Sequence, residues 1–405
     1  MKRNTREQIL NEAFKLCLRP RSSMFSLSEV AEKVGISKAA IFRHFKNKEE
    51  LLSEMRNLFM SDVASILTKK KYFFSGENLE ICGFEQFREI NFNVISFFFD
   101  KPEYLGFFLN LKNLSSGIGS GLLEGLEEHG VHFSDEFKTK VVSTRFVKLY
   151  FCIATMIFYF MRYMFIEKEN VKETREEFIE RIIRLTWNGI GREEIPFNKE
   201  RLSELNKICD VSKIAKVEDT RFFKAFAKVF AENGINGVTI ERLSEELNLA
   251  KSSLYSYFNN KAEFINKMLY QEISSIRNVL IEKLKNVKTF DEMIYVIIKT
   301  ESNYLRERPF VVMMHCWASE SYNSSNDADK KKSQIDFSLP VCFKDAIYEE
   351  ISEKVFIGWV SALIGEMATF VSIKDRKFLG EQKDYAYDIF NLIECGVHKT
   401  IDLSA

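Results

Sequence analysis

Proline is scarce in this chain, five in 405 residues, and the 17 glycines are few for its length. Apolar residues recur at helical spacing almost throughout, and strand alternation bounded by turn clusters is hard to find. An all-α protein is therefore expected. Only five histidines are present. They and the glycines assemble into no serine-histidine-acid set, metal-ligand cluster or glycine-rich phosphate loop. We expect no enzyme, no cofactor and no metal. The seven cysteines lie far apart, without a C-x-x-C pair, and read as buried reduced thiols of a cytoplasmic protein. No signal-peptide core is found in "MKRNTREQIL". The most hydrophobic run, "LYFCIATMIFYFM" from Leu149, is too short to cross a bilayer and is flanked by Lys148 and Arg162. It reads as a buried packing helix, and no membrane partner is expected. Excess charge is absent too, with 58 basic residues against 58 acidic ones.

What the chain does have is an internal repeat. The stretch "SLSEVAEKVGISKAAIFRHFKNKEELL" from Ser26 returns, without a gap, as "TIERLSEELNLAKSSLYSYFNNKAEFI" from Thr239. In the first copy Ser26 is a good N-cap, with Glu29 at the capping-box position. Leu27, Val30, Ala31 and Val34 make one apolar face. Gly35 supplies a turn that accepts a positive φ, Ser37 caps a short second helix, and Asn47 caps a third, with Glu50 at its capping-box position. A crossed helix pair whose second member is small-faced and exposed is a helix-turn-helix, which places that helix in the DNA major groove.

The offset between copies is 213 at Phe45 and Phe258, and 207 at Pro102 and Pro309 and again at Gly189 and Gly396. Six extra residues thus fall between Leu52 and Pro102 in the first half. Both halves are complete units. We place a first DNA-binding domain at 1–54, a first regulatory domain at 55–200, a linker at 201–216, a second DNA-binding domain at 217–267 and a second regulatory domain at 268–405. The charged, partly amphipathic join reads as a helical connector.

At the apolar spacing, the Gly-x-Ser turn, and the run Phe42, Phe45, Lys48, repeated as Tyr255, Phe258, Lys261, the chain resembles the TetR family of transcriptional regulators. Two ordinary helical hairpins would not explain why solvent-side Lys48 and Lys261 recur. Resemblance implies that two late helices of each half, Leu149 to Ile166 with Phe178 to Gly189, and Phe356 to Ile373 with Tyr385 to Gly396, form a four-helix bundle. The chain would then be an intrachain pseudo-dimer, with further oligomerisation open. Phe151 corresponds to Gly358 and Phe158 to Gly365, so large side chains in one half would face glycines in the other and favour pairing of unlike halves. Trp187 belongs to the same expected interface.

The expected partner is a double-stranded DNA operator, asymmetric because the recognition helices differ. The first offers Lys38, Ala39, Ala40, Arg43 and His44, with Ser37 and Phe42 beside them; the second offers Lys251, Ser252, Ser253, Ser256 and Tyr257. Arg43 suits a guanine edge, whereas serines discriminate poorly. Phosphates would be held by Arg3, Arg6, Ser26 and Lys48 in one half, and by Thr239, Tyr255 and Lys261 in the other. Residues 1–52 carry 11 basic against 6 acidic residues, and residues 213–265 carry 8 against 7. The first half should therefore dominate affinity. In the second copy Ala250 replaces the capping serine and Asn248 the turn glycine, which leaves open that it serves mainly as a structural partner.

The resemblance also implies a small-molecule effector that moves the fourth helix of each unit, Met55 to Leu67 and Met268 to Leu280, as in a repressor released by its ligand. Phe97, Tyr104, Phe107 and Phe108 in one half, and Tyr304, Phe310, His315 and Trp317 in the other, would wall a pocket for a mostly apolar ligand, with His315 and Glu366 orienting it. The same rings at helical spacing also fit a plain core. An effector-independent DNA-binding architectural or protein-interaction factor is the alternative.

Overall fold

In the computed structural model, residues 5–18, 25–68, 83–114, 124–132, 144–162, 173–193, 197–212, 221–258, 261–308, 311, 353–373 and 385–399 are described. Among them the regular structure is entirely helical. The first half contains α1 (Thr5–Cys17), α2 (Leu27–Val34), α3 (Lys38–Ile41), α4 (Lys48–Thr68), α5 (Phe84–Asp100), α6 (Pro102–Leu114), α7 (Thr144–Arg162) and α8 (Arg175–Asn188). A further helix, α9 (Lys199–Ile208), precedes the second half. That half contains α10 (Arg221–Gly237), α11 (Ile240–Leu247), α12 (Lys251–Tyr255), α13 (Lys261–Leu284), α14 (Phe290–Glu307), α15 (Glu353–Ile373) and α16 (Ala386–Cys395). Arg3, Phe310, His315 and Trp317 lie outside the described residues, as do the side chains of Lys261 and Glu366.

Four helices from the two halves pack together: α7 against α15 and α16, and α8 against α16. At the ends of α8 and α16 the backbones cross. Ile190 N–H donates to the Ile393 carbonyl at 2.8 Å, and Val397 N–H to the Thr186 carbonyl at 3.1 Å. Ile190 corresponds to Val397, and Thr186 to Ile393, at the same 207-residue offset, so the two bonds are mates about a pseudo-two-fold axis. Only glycine permits this approach. A Cβ on Gly189 would run into the Ile393 carbonyl, and one on Gly396 into the Trp187 carbonyl.

Between α7 and α15 the buried Trp359 indole donates to Thr155 Oγ1 at 3.1 Å, and its ring meets Phe151 at 5.8 Å. The Phe158 ring lies 3.7 Å from where a Gly358 Cβ would stand. A large side chain of the first half thus faces a glycine of the second, Phe158 against Gly358. About a two-fold axis residue i of one unit meets residue j of the other and j meets i, so Phe158 need not face its own equivalent, Gly365. Gly365 is half-buried on the same helix. Trp187 stacks on His398 at 5.6 Å and packs against Phe84 and Phe87 of its own half.

Beside this crossing sits a polar cluster that also joins the halves. Arg192 donates to both carboxylate oxygens of Asp291, at 2.7 and 3.0 Å, and stands 3.8 Å from the fully buried Glu394. Burial, then the neighbouring Asp291 charge, pushes the Glu394 carboxyl up to about 9, against the pull of Arg192. The connector is docked along α14. Leu205 and Cys209 are buried, Arg201 holds Glu292 through two hydrogen bonds at 2.7 and 2.8 Å, and Asn303 donates to the Cys209 carbonyl at 2.9 Å.

Candidate nucleic-acid interface

Each half ends in a small three-helix head, α1–α3 or α10–α12, mounted on a long fourth helix. In the first head, Ser26 and Glu29 close a complete capping box: Glu29 N–H donates to Ser26 Oγ at 3.2 Å and Ser26 N–H to Glu29 Oε2 at 2.7 Å. Gly35 ends α2 at φ 76°, and Ser37 Oγ accepts from Ala40 N–H at 3.2 Å to start α3. At the start of α4, Asn47 Oδ1 accepts from Glu50 N–H at 2.8 Å, while Glu50 Oε2 accepts from the N–H of Lys46, one residue before the cap, at 2.5 Å. Buried Ile41 and Phe45 hold the short reading helix down, which leaves Lys38, Ala39, Phe42 and Arg43 exposed and Ala40 and His44 half-buried. The Arg43 guanidinium makes no ion pair among the described residues. Ser26, Lys38, Phe42 and Lys48 meet at the rim of one shallow depression, together with Phe25, Leu27, Glu29 and Asn47. Four of the residues expected at phosphates or bases thus come together on one surface.

Arg6, expected at a phosphate, lies in α1. Its guanidinium pairs with Glu54 of α4 at 2.5 Å and lies 4.8 Å above the Phe45 ring. The Glu54 hydrogen bond raises the Arg6 pKa and lowers that of Glu54. In this arrangement Arg6 ties α1 to α4.

The second head repeats this plan with weaker local chemistry. Thr239 caps α11 through Arg242 N–H at 3.2 Å, but the capping-box glutamate is replaced by Arg242 itself, whose guanidinium reaches the Gly237 carbonyl at 3.0 Å. Asn248 takes the left-handed turn at φ 51°, alone among the described non-glycine residues. Ala250 starts α12 with no side-chain cap. Tyr255 and Tyr257 are 50% and 54% exposed, near the 47% of Phe42 in the first head. Ser252 and Ser256 are exposed and Ser253 half-buried, and Ser256 Oγ donates back to the Ser253 carbonyl at 2.6 Å. Lys251 pairs with Glu241 at 3.1 Å, a solvent-exposed pair worth little and easily exchanged for a phosphate. Arg242 is a candidate phosphate contact absent from the expected set; it stands where the first copy has Glu29, a difference visible in the aligned repeat.

The rings expected to wall a pocket in the first half pack on one another. Phe14 lies 4.4 Å from Tyr104 and 5.1 Å from Phe107, and Phe59 lies 5.9 Å from both Phe107 and Phe108. Phe97 closes on Tyr104 at 5.6 Å. In the second half Tyr304 is buried, with its hydroxyl committed to Glu272 at 2.7 Å. No described helix is long and apolar enough to cross a membrane, and no group of three or more metal-ligating side chains is found among the described residues.

Two helix-turn-helix heads on an all-helical scaffold define a DNA-binding class. The model of the family described as "Bacterial regulatory proteins, tetR family" matches this chain twice, at residues 23–55 and 223–268. The chain is 33% identical over 91 residues to the HTH-type transcriptional regulator AcrR of Shigella flexneri, a match covering 22% of this chain and 40% of that protein. It is 25% identical over 137 residues to an uncharacterized HTH-type transcriptional regulator of Haemophilus influenzae, covering 33% and 73%. To the HTH-type transcriptional regulator YvkB of Bacillus subtilis it is 37% identical over 65 residues, covering 16% and 34%. The chain is thus similar to TetR-family regulators at two places, one in each of its tandem units.

Proposed function

We propose that this protein regulates transcription as a single-chain pseudo-dimer, reading an asymmetric operator with two unlike heads, and that it represses until a small, mostly apolar effector releases it. The observation that carries this reading is the pairing of two intact helix-turn-helix heads with a reciprocal backbone crossing of α8 and α16. The crossing supplies within one chain the two-fold arrangement that places two reading helices on one face of DNA. The first head carries the base-reading arginine, Arg43, and most of the positive charge, and so supplies most of the affinity.

The self-packed rings of the first half favour an effector site in the second. There Glu301 is held among the described residues by Ser361 Oγ, at 2.9 Å, and burial lifts its carboxyl to about 7. That carboxyl would orient the polar end of the ligand. The same ring packing favours a second reading, a DNA-binding factor without an effector.

Footprinting of the purified protein on genomic DNA tests the proposal. An operator whose two half-sites differ in sequence and in protection supports it; a perfect palindrome protected equally on both sides overturns the asymmetry. Titration of a bound operator with a panel of apolar compounds, read as loss of binding, separates the effector-released regulator from the effector-free factor.

A further inference from the structure

The two units fasten the long fourth helix to the body by related chemistry at different depths. In the first unit Lys101, at the end of α5, donates to Asp62 of α4 at 2.5 Å, and Tyr104 hydroxyl donates to the same oxygen at 3.1 Å. Lys101 also lies 4.8 Å above the Tyr104 ring. In the second unit Arg308, at the equivalent position after α14, donates to Glu272 of α13 at 2.5 Å, and Tyr304 hydroxyl donates to the other carboxylate oxygen at 2.7 Å. The Arg308 guanidinium stands 5.6 Å from the rings of both Tyr304 and Phe223.

Only the cation is inherited from equivalent positions. Glu272 aligns with Phe59, one helical turn nearer its head than Asp62, and Tyr304 aligns with Phe97. Depth separates the pair. The side chains of Lys101 and Asp62 are 41% and 36% exposed, whereas those of Arg308 and Glu272 are 2% and 4% exposed. An exposed pair exchanges readily with water, while a buried one is broken only by leaving a charge uncompensated. Phe223 belongs to α10, so the buried set spans the second head, its fourth helix and the body.

We propose that Glu272, Tyr304 and Arg308 form a latch that fixes the orientation of the second head, and that the Asp62 set of the first unit has no comparable hold. Arg308 and the Tyr304 hydroxyl take one oxygen each of the Glu272 carboxylate, and two directional hydrogen bonds at one carboxylate hold direction as well as distance, which an apolar contact does not. These are positioning residues. The consequence for operator spacing rests on the DNA-reading function proposed above; the latch itself does not.

Hydrogen exchange of the full chain, followed by peptide, tests it. In Glu272→Gln, exchange across 221–255 is expected to quicken at least about tenfold while α14, α15 and residues 5–45 stay unchanged. Arg308→Lys, which keeps the charge and loses the planar guanidinium, should give a smaller increase in the same peptides. Asp62→Asn should change residues 5–45 by less than about twofold. Unchanged exchange in 221–255, or an equal rise through α14 and α15 including outright unfolding, overturns the latch by making the set inert or plain core support. An Asp62→Asn effect as large as that of Glu272→Gln overturns the asymmetry. If the exchange pattern holds while wild-type protein fails to shift DNA, the latch stands and the proposed function falls.

Discussion

At one equivalent position on the fourth helices, the first unit carries Phe59 and the second Glu272. Phe59 sits in a ring cluster with Phe14 of the first head and Tyr104, Phe107 and Phe108 of the body. Glu272 sits in a buried ionic set with Arg308 and Tyr304, against Phe223 of the second head. A duplicated unit has thus solved one mechanical problem twice. Ring packing tolerates small sliding because dispersion is spread over many weak contacts. A buried carboxylate held at one oxygen by a guanidinium and at the other by a hydroxyl has one good geometry. The lesson is that equal folds need not respond equally: identical topology leaves the stiffness of each joint to the side chains that cross it.

The largest test of this contrast is Phe59→Ala. Loss of a fully buried ring at the centre of a cluster should cost about 3–5 kcal/mol of unfolding free energy, measured by denaturant melts. A cost below about 1 kcal/mol would mean that the first joint is not made of this ring packing. Next comes DNA affinity. Arg43→Ala should weaken operator binding by roughly 10- to 150-fold, the worth of a bidentate base contact. Tyr257→Ala, in the more neutral head, should cost less than about tenfold. Equal losses in a gel-shift titration would remove the dominance of the first head.

Much of the difference between the two heads was legible in the sequence because it is local. The Ser26 capping box, the Gly35 and Asn248 turns, and the missing cap at Ala250 all lie within four residues of their partners, and all are found as read. What escaped is non-local. Arg6 reads as an arm residue, and its place in α1 and its pairing with Glu54, 48 residues on, are not visible locally. Amphipathy in the connector shows that one face is covered, but not that Arg201 and Leu205 cover α14. Glu272 was hidden by the repeat itself, since alignment sets it against a phenylalanine and gives no hint of Arg308. The Phe158–Gly358 contact needed the two-fold crossing, which no pairing of equivalent residues reveals.

The seam between the units is unequal as well: Glu394 stands where the first half has Trp187. With its folded pKa raised to about 9 from an ordinary 4.5, Glu394 keeps a proton that the unfolded chain releases. Its contribution is fully present below about pH 4.5, declines as pH rises, and is lost through pH 9. The slope is at most about 1.4 kcal/mol per pH unit. Glu394→Gln, neutral throughout, should flatten the fall in unfolding free energy between pH 6 and pH 9. An unchanged slope would place the pH dependence elsewhere.

The smallest test is the most local. If the second head is weaker because its reading helix starts without a cap, Ala250→Ser should supply the missing acceptor for Ser253 N–H and stabilise that head by about 1 kcal/mol. Ser37→Ala in the first head should cost about as much, through the loss of the acceptor that now serves Ala40 N–H. Run together, the two substitutions exchange the capping of the heads and leave Lys38, Arg43 and Tyr257 in place. Affinity that follows the cap would make local helix stability the source of the inequality. Affinity that stays with the first head would leave it to charge and to Arg43.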